Sequence, residues 1–170
     1  ITDGRNVPLM LREFAAHPKA HIVFLGDGHM RKAVEEAGRT SPNIHWHPPV
    51  DPDSVVAYVR GADIGLCLIE YVSLSDELST PNKLMESLSA GIPPLSSALF
   101  EAKRLIGPEA SKTWILDDPE TQLAGALERI TAEDVAEFKR NWNGIPGWEV
   151  QAQDLVDAYR EAMERKGLSG

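Results

Sequence analysis

The sequence predicts an α/β fold in which a parallel β-sheet carries helices on both faces. Short apolar runs typical of buried strands alternate along the chain with segments of helical periodicity, which is the pattern of repeated strand–helix units. The first apolar run, residues 21–25, leads into Gly26-Asp27-Gly28, a turn of the kind that joins a strand to a helix. The 170 residues suffice for one hydrophobic core. We therefore predict a single domain over residues 1–170.

Composition narrows the class of protein. Hydrophobic residues make up 42% and charged residues 25% of the chain, as in a soluble globular protein. The formal net charge of −9 and the lack of basic runs argue against a nucleic-acid-binding surface, although local donors can still hold a small anion. The single cysteine, Cys67, lies in an apolar run, so we expect it to be buried and to form no disulfide within the chain. The sequence has no apolar run long enough to span a bilayer and no signal-peptide pattern.

The elements follow from periodicity and from helix start and stop signals. Asp51 precedes Pro52 and is expected to cap a helix, and Pro94 is expected at the first position of its strand because it cannot donate to a ladder. Helices are predicted over residues 6–16, 29–37, from 52, 81–90, 100–106, 121–130, 132–142 and 148–165, and strands over 21–25, 44–46, 64–69, 94–97 and 113–116. Core-facing positions are predicted at Val55, Val56, Val59, Leu123, Ala126, Leu127, Ile130, Val150, Leu155, Ala158 and Ala162.

The most informative stretch is the helix start near residue 80. Thr80 is predicted as the N-cap and Pro81 as the first helical residue, where no N–H is needed. Asn82 and Lys83 then fall in the first turn, where unpaired N–H groups and the positive end of the helix dipole favour an anion. The sequence therefore predicts a diphosphate site here. Further along, Gly91 is expected to end the helix.

Glu86 lies one turn beyond Lys83 on the same face of this helix. Its carboxylate can accept hydrogen bonds from two neighbouring hydroxyls, as on a ribose. The alternative from the residues alone is an ordinary capped helix in which Lys83 and Glu86 form a surface ion pair. The pattern by itself favours that alternative.

Two motifs in this stretch resemble the nucleotide-binding segment of retaining GT-B glycosyltransferases of family 4. Residues 86–93, Glu-Ser-Leu-Ser-Ala-Gly-Ile-Pro, match the second half of the family pattern, in which a Glu is followed by small-x-x-x-Gly-x-Pro. Residues 81–86, Pro-Asn-Lys-Leu-Met-Glu, are similar to the helix start in one branch of the family. The Gly26-Asp27-Gly28 turn and the closing helix from Trp148 are similar to family segments as well.

The resemblance implies a function and a set of donor-site residues. The chain would be the C-terminal, Rossmann-like lobe of a two-lobe GT-B enzyme, which binds a nucleoside-diphosphate sugar and transfers its sugar with retention and without a metal. Arg5, opening the first helix, would contact the diphosphate, and the backbone at Gly26 and Gly28 would approach the donor. The full set of substrate-binding residues expected is Arg5, Gly26, Gly28, Glu70, Pro81, Asn82, Lys83 and Glu86. No catalytic base is assigned.

The complete family pattern begins with an earlier Glu, separated from the second Glu by seven residues. In this chain the second Glu is Glu86, so the first would fall on position 78, which is a leucine. A leucine cannot bond a sugar hydroxyl, and the candidates to take the role are Glu77, one residue away, and Glu70, at the end of the preceding strand. The family's first strand, central in its sheet, would precede Ile1. Its absence would leave a gap, and either the sheet closes up or another chain or further residues fill it.

The resemblance also implies partners and a location. The N-terminal lobe would supply the acceptor site, so the isolated lobe is expected to be inactive, and the donor sugar nucleotide is a substrate rather than a cofactor. The expected setting is polysaccharide or glycoconjugate biosynthesis in the cytoplasm, with membrane contact only through the other lobe. Oligomeric state, donor base, sugar and acceptor are left open.

Several alternatives are weighed against this reading. His45 and His47 share a side of a strand, but no third ligand lies near them in sequence, so no metal site is predicted. A dinucleotide fingerprint would need a third Gly soon after Gly28, and none is present. A glycogen-phosphorylase-like GT-B enzyme would need a lysine for pyridoxal phosphate, and no such lysine is identified in the sequence. A GT-B sugar-nucleotide epimerase and a non-catalytic nucleotide-binding module stay open.

Overall fold

The computed structural model describes residues 1–70, 74–77, 79–145 and 148–165. The helices are α1 (Val7–Ala16), α2 (Arg31–Thr40), α3 (Val55–Val59), α4 (Leu74–Glu77), α5 (Asn82–Ala90), α6 (Phe100–Trp114), α7 (Pro119–Arg129), α8 (Ala132–Asn141) and α9 (Trp148–Arg165). The strands are β1 (Ile22–Leu25), β2 (Ile44–His47), β3 (Gly65–Cys67), β4 (Pro94–Ser97) and β5 (Ile115–Leu116), and a 3₁₀ turn, Pro52–Ser54, precedes α3. Leu78, which replaces the family's first Glu, lies outside the described residues.

The strands pair in parallel but in two separate sheets. β1 pairs with β2, and β4 lies between β3 and β5. Within the described residues β1 and β3 share no ladder, so the sheet does not close up and the expected gap remains between them. The first residues of the chain lie at the carboxyl ends of these two strands. The Ile1 nitrogen donates to the Asp27 carbonyl at 2.8 Å, and the Glu70 N–H donates to the Gly4 carbonyl at 3.1 Å.

Helices cover both faces of the strands, as predicted. One core cluster combines buried residues of α1, α2 and α7 with β1, β2, β4 and β5. A second combines residues of α5, α6 and α8 with Cys67 and Ile69 on the opposite side. Leu84, Leu88, Leu95, Leu99 and Leu123 are at most 1% exposed, so close-packed aliphatic side chains hold both layers to the strands.

Several local predictions are confirmed. The Asp51 carboxylate accepts from the Asp53 N–H at 3.0 Å and begins the 3₁₀ turn. Gly91 ends α5 with φ of 74°, a left-handed conformation that glycine adopts without strain. Pro94 is the first residue of β4, where a missing donor costs least. Cys67 is buried and free.

Other predictions at helix starts and ends are wrong. Thr80 is not the N-cap of α5, because Pro81 is extended at ψ 141° and the helix begins one residue later, at Asn82. The helix predicted over 100–106 continues to Trp114 beyond a break at Gly107, where φ is 81°. Pro108 then opens the second half with its φ already helical, so residues 113 and 114 are helical rather than part of the last strand.

The predicted core faces hold for some helices and fail for others. Leu123 and Ala126 are buried, whereas Leu127, Ile130 and the three valines of the 52–59 segment are only half-buried. In α9, Ala158 and Ala162 are exposed and Leu155 is 58% exposed, contrary to prediction. Periodicity identifies an amphipathic helix but not its partner, and within the described chain no surface covers this one. The side chains of Trp148 and Val150 lie outside what the structure describes.

Candidate functional site

The residues predicted to bind a ligand come from four separate segments that meet at the carboxyl ends of the strands. Gly26 and Gly28 follow β1, Glu70 follows β3, and α5 begins on the same side because it runs back between two parallel strands. Arg5 precedes α1 and is held near the end of β3 by the Gly4–Glu70 backbone bond. Ligands in open α/β sheets bind outside this end of the strands.

The start of α5 has no side-chain cap. Pro81 occupies the N-cap position and accepts from the Leu84 N–H at 3.0 Å through its carbonyl, but it has no side-chain acceptor to offer. No acidic residue lies in the first turn. The first N–H groups of an α-helix have no partner inside the helix, so this turn presents donors and a positive dipole end at the surface.

A glycine on β3 allows α5 to approach closely. A side chain at Gly65 would collide with Ser87, which is buried on the inner face of α5. The Ser87 hydroxyl donates back to the Lys83 carbonyl at 2.7 Å, and Leu84 and Leu88 fill the space beside it. This close packing places the first turn of α5 over the Cys67 thiol, whose pKa is raised by burial.

Lys83 projects from this turn and is exposed to solvent. Loss of water around its ammonium lowers the Lys83 pKa. Cys67 and Glu86 act in the opposite direction, whereas the positive charge of Arg5 lowers this pKa further. The ammonium of Lys83 and the guanidinium of Arg5 are thus close enough to repel each other.

Neither cation has a carboxylate partner within the described residues. Arg12, Arg104 and Arg140 each pair with a glutamate at 2.7–2.8 Å, but no ion pair within 4.0 Å involves Arg5 or Lys83. Lys83 and Glu86 therefore do not form the surface ion pair that an ordinary capped helix would show. Two like charges that form no ion pair within the described residues lie at an uncapped helix start, and they make it a local positive site in a chain of net charge −9.

The acidic residues predicted for sugar hydroxyls differ in placement. Glu86 is half-buried on α5 and lies within electrostatic range of Lys83. Glu70 is exposed three residues beyond β3, with its backbone fixed to Gly4. Glu77 is exposed at the end of α4. Glu70 is thus linked to the Arg5 segment by a backbone hydrogen bond. No such bond between Glu77 and that segment is found among the described residues.

The glycine turn faces the same region. Gly26 and Gly28 have φ of 116° and 152°, and a side chain at Gly28 would collide with the Ile1 backbone. The Ile1 nitrogen donates to the Asp27 carbonyl at 2.8 Å. The charged groups of Asp27, Lys83 and Arg5 lie within electrostatic range of Ile1, so the glycine turn, the start of α5 and the segment before α1 are close together.

One residue of this region was missed from the sequence. The Trp46 indole N–H donates to the Gly26 carbonyl at 2.8 Å, and the Arg31 guanidinium lies 3.9 Å over the Trp46 ring centroid. The available signal was the residue type, since a partly buried tryptophan commonly finds a hydrogen-bond acceptor for its indole N–H.

A groove of about 760 Å³ lies elsewhere, between α6, β5 and α7. None of the predicted site residues lines it. Its cations include Lys103, which pairs with Asp117 at 3.1 Å. Side chains that line this groove have partners in the protein, as Ser111 and Lys112 show, whereas Arg5 and Lys83 have no ion-pair partner among the described residues.

The described ranges contain neither a metal-binding cluster nor a helix that could cross a membrane. No group of three or more His, Cys, Asp or Glu side chains there has the geometry of a metal site, and His45 contacts His21 rather than a third ligand. None of the described helices combines the length and the apolar character that crossing a membrane requires.

Comparisons with known proteins converge on one family. The family model described as "Glycosyl transferases group 1" matches residues 5–133. A similar solved structure is AviGT4, a glycosyltransferase involved in avilamycin A biosynthesis, with a TM-score of 0.59 and 13% sequence identity. The match covers 96% of this chain and 50% of AviGT4, so the chain spans about half the length of that protein. At this identity the likeness shows the fold, a lobe of GT-B type. No curated protein matches.

Proposed function

Since the chain belongs to the group 1 glycosyl transferases, we propose that it binds the nucleoside diphosphate of a sugar donor for a transfer that retains the anomeric configuration. The observation that carries this proposal is the pair of cations, Arg5 and Lys83, at the uncapped start of α5, which form no ion pair with any carboxylate in the described part of the chain. A diphosphate supplies the negative charge that both cations lack, and it accepts from the helix N–H groups as well.

The same residues suit the chemistry of the step. As the bond between the sugar and the diphosphate breaks, negative charge grows on the leaving diphosphate. Lys83, Arg5 and the first N–H groups of α5 are in place before the reaction and stabilise that charge without rearrangement. No metal is required for this stabilisation. The acceptor is expected to meet the donor at a second lobe, since AviGT4 is about twice as long as the match.

Glu86 is proposed to hold the ribose. It lies one turn deeper on α5 than Lys83, so its carboxylate can accept from two sugar hydroxyls while Lys83 contacts the phosphates. The exposed Glu70 is proposed to replace the family's first Glu, because its backbone is tied to the Arg5 segment. No catalytic base is assigned among the described residues.

The proposal is tested by calorimetric titration of this chain with UDP, GDP and ADP. Lys83→Ala is expected to weaken the best-bound nucleotide about 10- to 100-fold, the usual effect of losing a charge-assisted hydrogen bond. The matched control is Lys112→Ala, which removes the same charge from the last turn of α6, at the amino end of β5. Lys112 pairs with Glu109 on an exposed surface, so its removal is expected to leave affinity unchanged.

Two results would contradict the proposal. If Lys83→Ala and Lys112→Ala weakened binding equally, the effect would be one of net charge rather than of a site at α5. If the wild-type chain bound none of the three nucleotides, the donor-binding role would be lost. Binding without sugar transfer by the chain together with its second lobe would favour the non-catalytic module instead.

A further inference from the structure

The Gly26–Gly28 turn is held from outside by a side chain on the neighbouring strand. Trp46 lies opposite Phe24 in the parallel register of β1 and β2, and its indole N–H reaches past the end of β1 to the Gly26 carbonyl at 2.8 Å. The Gly26 N–H donates to the His47 carbonyl at 3.0 Å. Both polar groups of Gly26 are therefore fixed by consecutive residues of β2.

The indole itself is held in place by α2. The Arg31 guanidinium covers the Trp46 ring at 3.9 Å, and its Nε donates to Glu35 at 2.8 Å. A second guanidinium nitrogen of Arg31 lies 3.9 Å from the Asp27 carboxylate. A cation over an aromatic face is attractive, so the ring is kept flat beneath Arg31 and its N–H stays directed at Gly26.

Fixing the Gly26 carbonyl also fixes the next N–H group. A peptide unit is planar and trans, so its C=O and N–H point in opposite directions. The Asp27 N–H therefore points away from Trp46, and within the described residues it has no hydrogen-bond partner. By contrast, the Gly28 N–H is satisfied by the Asp27 carboxylate at 2.8 Å. One donor of the turn is thus left oriented and available beside Arg5 and Lys83.

We infer that Trp46 is a positioning residue, which through its bond to Gly26 directs the Asp27 N–H toward the anionic group of the donor. This inference rests on the proposed function, because it assigns a second set of donors to the same diphosphate or sugar. Phenylalanine at this position would keep an aromatic ring beneath Arg31, although a smaller one, but it would leave the Gly26–Asp27 peptide without the bond that fixes its orientation.

The test compares two tryptophans that make the same bond in different places. The Trp142 indole donates to the Leu88 carbonyl at 2.9 Å, at the end of α5 farther from its first turn. Trp46→Phe and Trp142→Phe each remove one indole-to-carbonyl bond and are expected to lower Tm to a similar extent. Titration with UDP, GDP and ADP then separates positioning from stability.

Trp46→Phe is expected to weaken the best-bound nucleotide about three- to tenfold, as the loss of one oriented hydrogen bond would do, whereas Trp142→Phe leaves affinity unchanged. In ¹H–¹⁵N spectra of the wild-type chain, the Asp27 amide shifts on nucleotide addition, and in Trp46→Phe this shift is reduced. Equal affinities for the wild type and Trp46→Phe, or an Asp27 amide that nucleotide does not move, would overturn the inference alone. A wild-type chain that binds no nucleotide would overturn the proposed function, and the inference with it.

Discussion

The starts of α5 and α8 solve the same physical problem in opposite ways. α8 begins with a capping box, in which Thr131 Oγ1 accepts from the Asp134 N–H at 3.2 Å and the Asp134 carboxylate accepts from the Thr131 N–H at 2.8 Å. Its first turn also carries Glu133, so negative charge faces the positive end of the helix dipole. α5 has no side-chain cap, no acidic residue in its first turn, and Lys83 where an acid would be favourable.

The difference indicates that the start of α8 contributes to stability alone, whereas the start of α5 leaves donors for a ligand. At α8 the protein satisfies the N–H groups of Thr131 and Asp134 itself, and its acidic first turn would repel an anion. At α5 the orphan donors and the added positive charge are unfavourable for the isolated protein and become favourable only when an anion arrives. Because the α5 N-terminus gains nothing from a side-chain cap, the helix must be held by its packing.

Leu88→Ala tests whether packing holds α5, and it is expected to have the largest effect on stability. Leu88 is 1% exposed in the core cluster that joins α5 to β3 and α6. Replacement leaves a cavity and should lower the free energy of unfolding by about 2–5 kcal/mol. Urea denaturation followed by circular dichroism measures the change. A loss below that of an average surface substitution would mean that α5 is held by something other than this core.

Thr131→Ala removes the capping box of α8 and is expected to cost less, about 1 kcal/mol. Nucleotide affinity should not change, in contrast to the loss of affinity expected for Lys83→Ala in the first turn of α5. The hydrogen bond from Thr131 lowers the pKa of Asp134, so this carboxylate stabilises the native state above its ordinary pKa. That contribution is lost as the pH falls through the lowered value.

The pH dependence gives a control for Thr131→Ala. The difference in stability between the wild type and the variant should shrink on acidification, because protonation of Asp134 weakens the bond that its carboxylate accepts from the Thr131 hydroxyl at 2.6 Å, which the variant lacks. Urea denaturation at neutral pH and at acid pH measures this. A difference that stayed constant down to full protonation of Asp134 would contradict a cap that depends on the ionised carboxylate.

Much of this contrast could be read from residue types. Asp51 before Pro52 and Gly91 after α5 have local backbone reasons to be where they are, so their roles were predicted correctly. Alternating apolar runs likewise predicted parallel strands with helices on both faces, because strand and helix periodicities are local properties. The α/β fold was therefore accessible from the sequence.

The remainder depends on contacts between distant parts of the chain. Thr80 is as good a capping residue as Thr131, but Pro81 is extended and occupies the cap position itself. Residues 113 and 114 read as a strand by composition, yet they continue a helix that resumes after Gly107. Trp46 and Gly26 are 20 residues apart, so no local pattern could have shown their hydrogen bond. Candidate site residues could be proposed only where a short motif or a family resemblance marked them, as around Lys83 and at the Gly26–Gly28 turn.

Lys83→Met tests the comparison of α5 with α8 through the smallest expected change in stability, which is a gain where the other two substitutions cause a loss. The substitution keeps the aliphatic stem but removes a charge whose pKa is lowered by loss of water and by Arg5. When the pKa of a lysine is lower in the folded than in the unfolded state, its positive charge destabilises the folded state at every pH below the folded pKa. Lys83→Met should therefore raise Tm slightly at neutral pH, by less than Thr131→Ala lowers it. This advantage should shrink as the pH rises through the folded pKa of Lys83, where the wild-type ammonium loses its proton.

Nucleotide affinity should fall as in Lys83→Ala, because methionine cannot donate to a phosphate. Thermal denaturation and titration on the same variant measure both quantities. A variant that lost stability and affinity together would place Lys83 among the residues that hold the fold, and α5 would then resemble α8 after all.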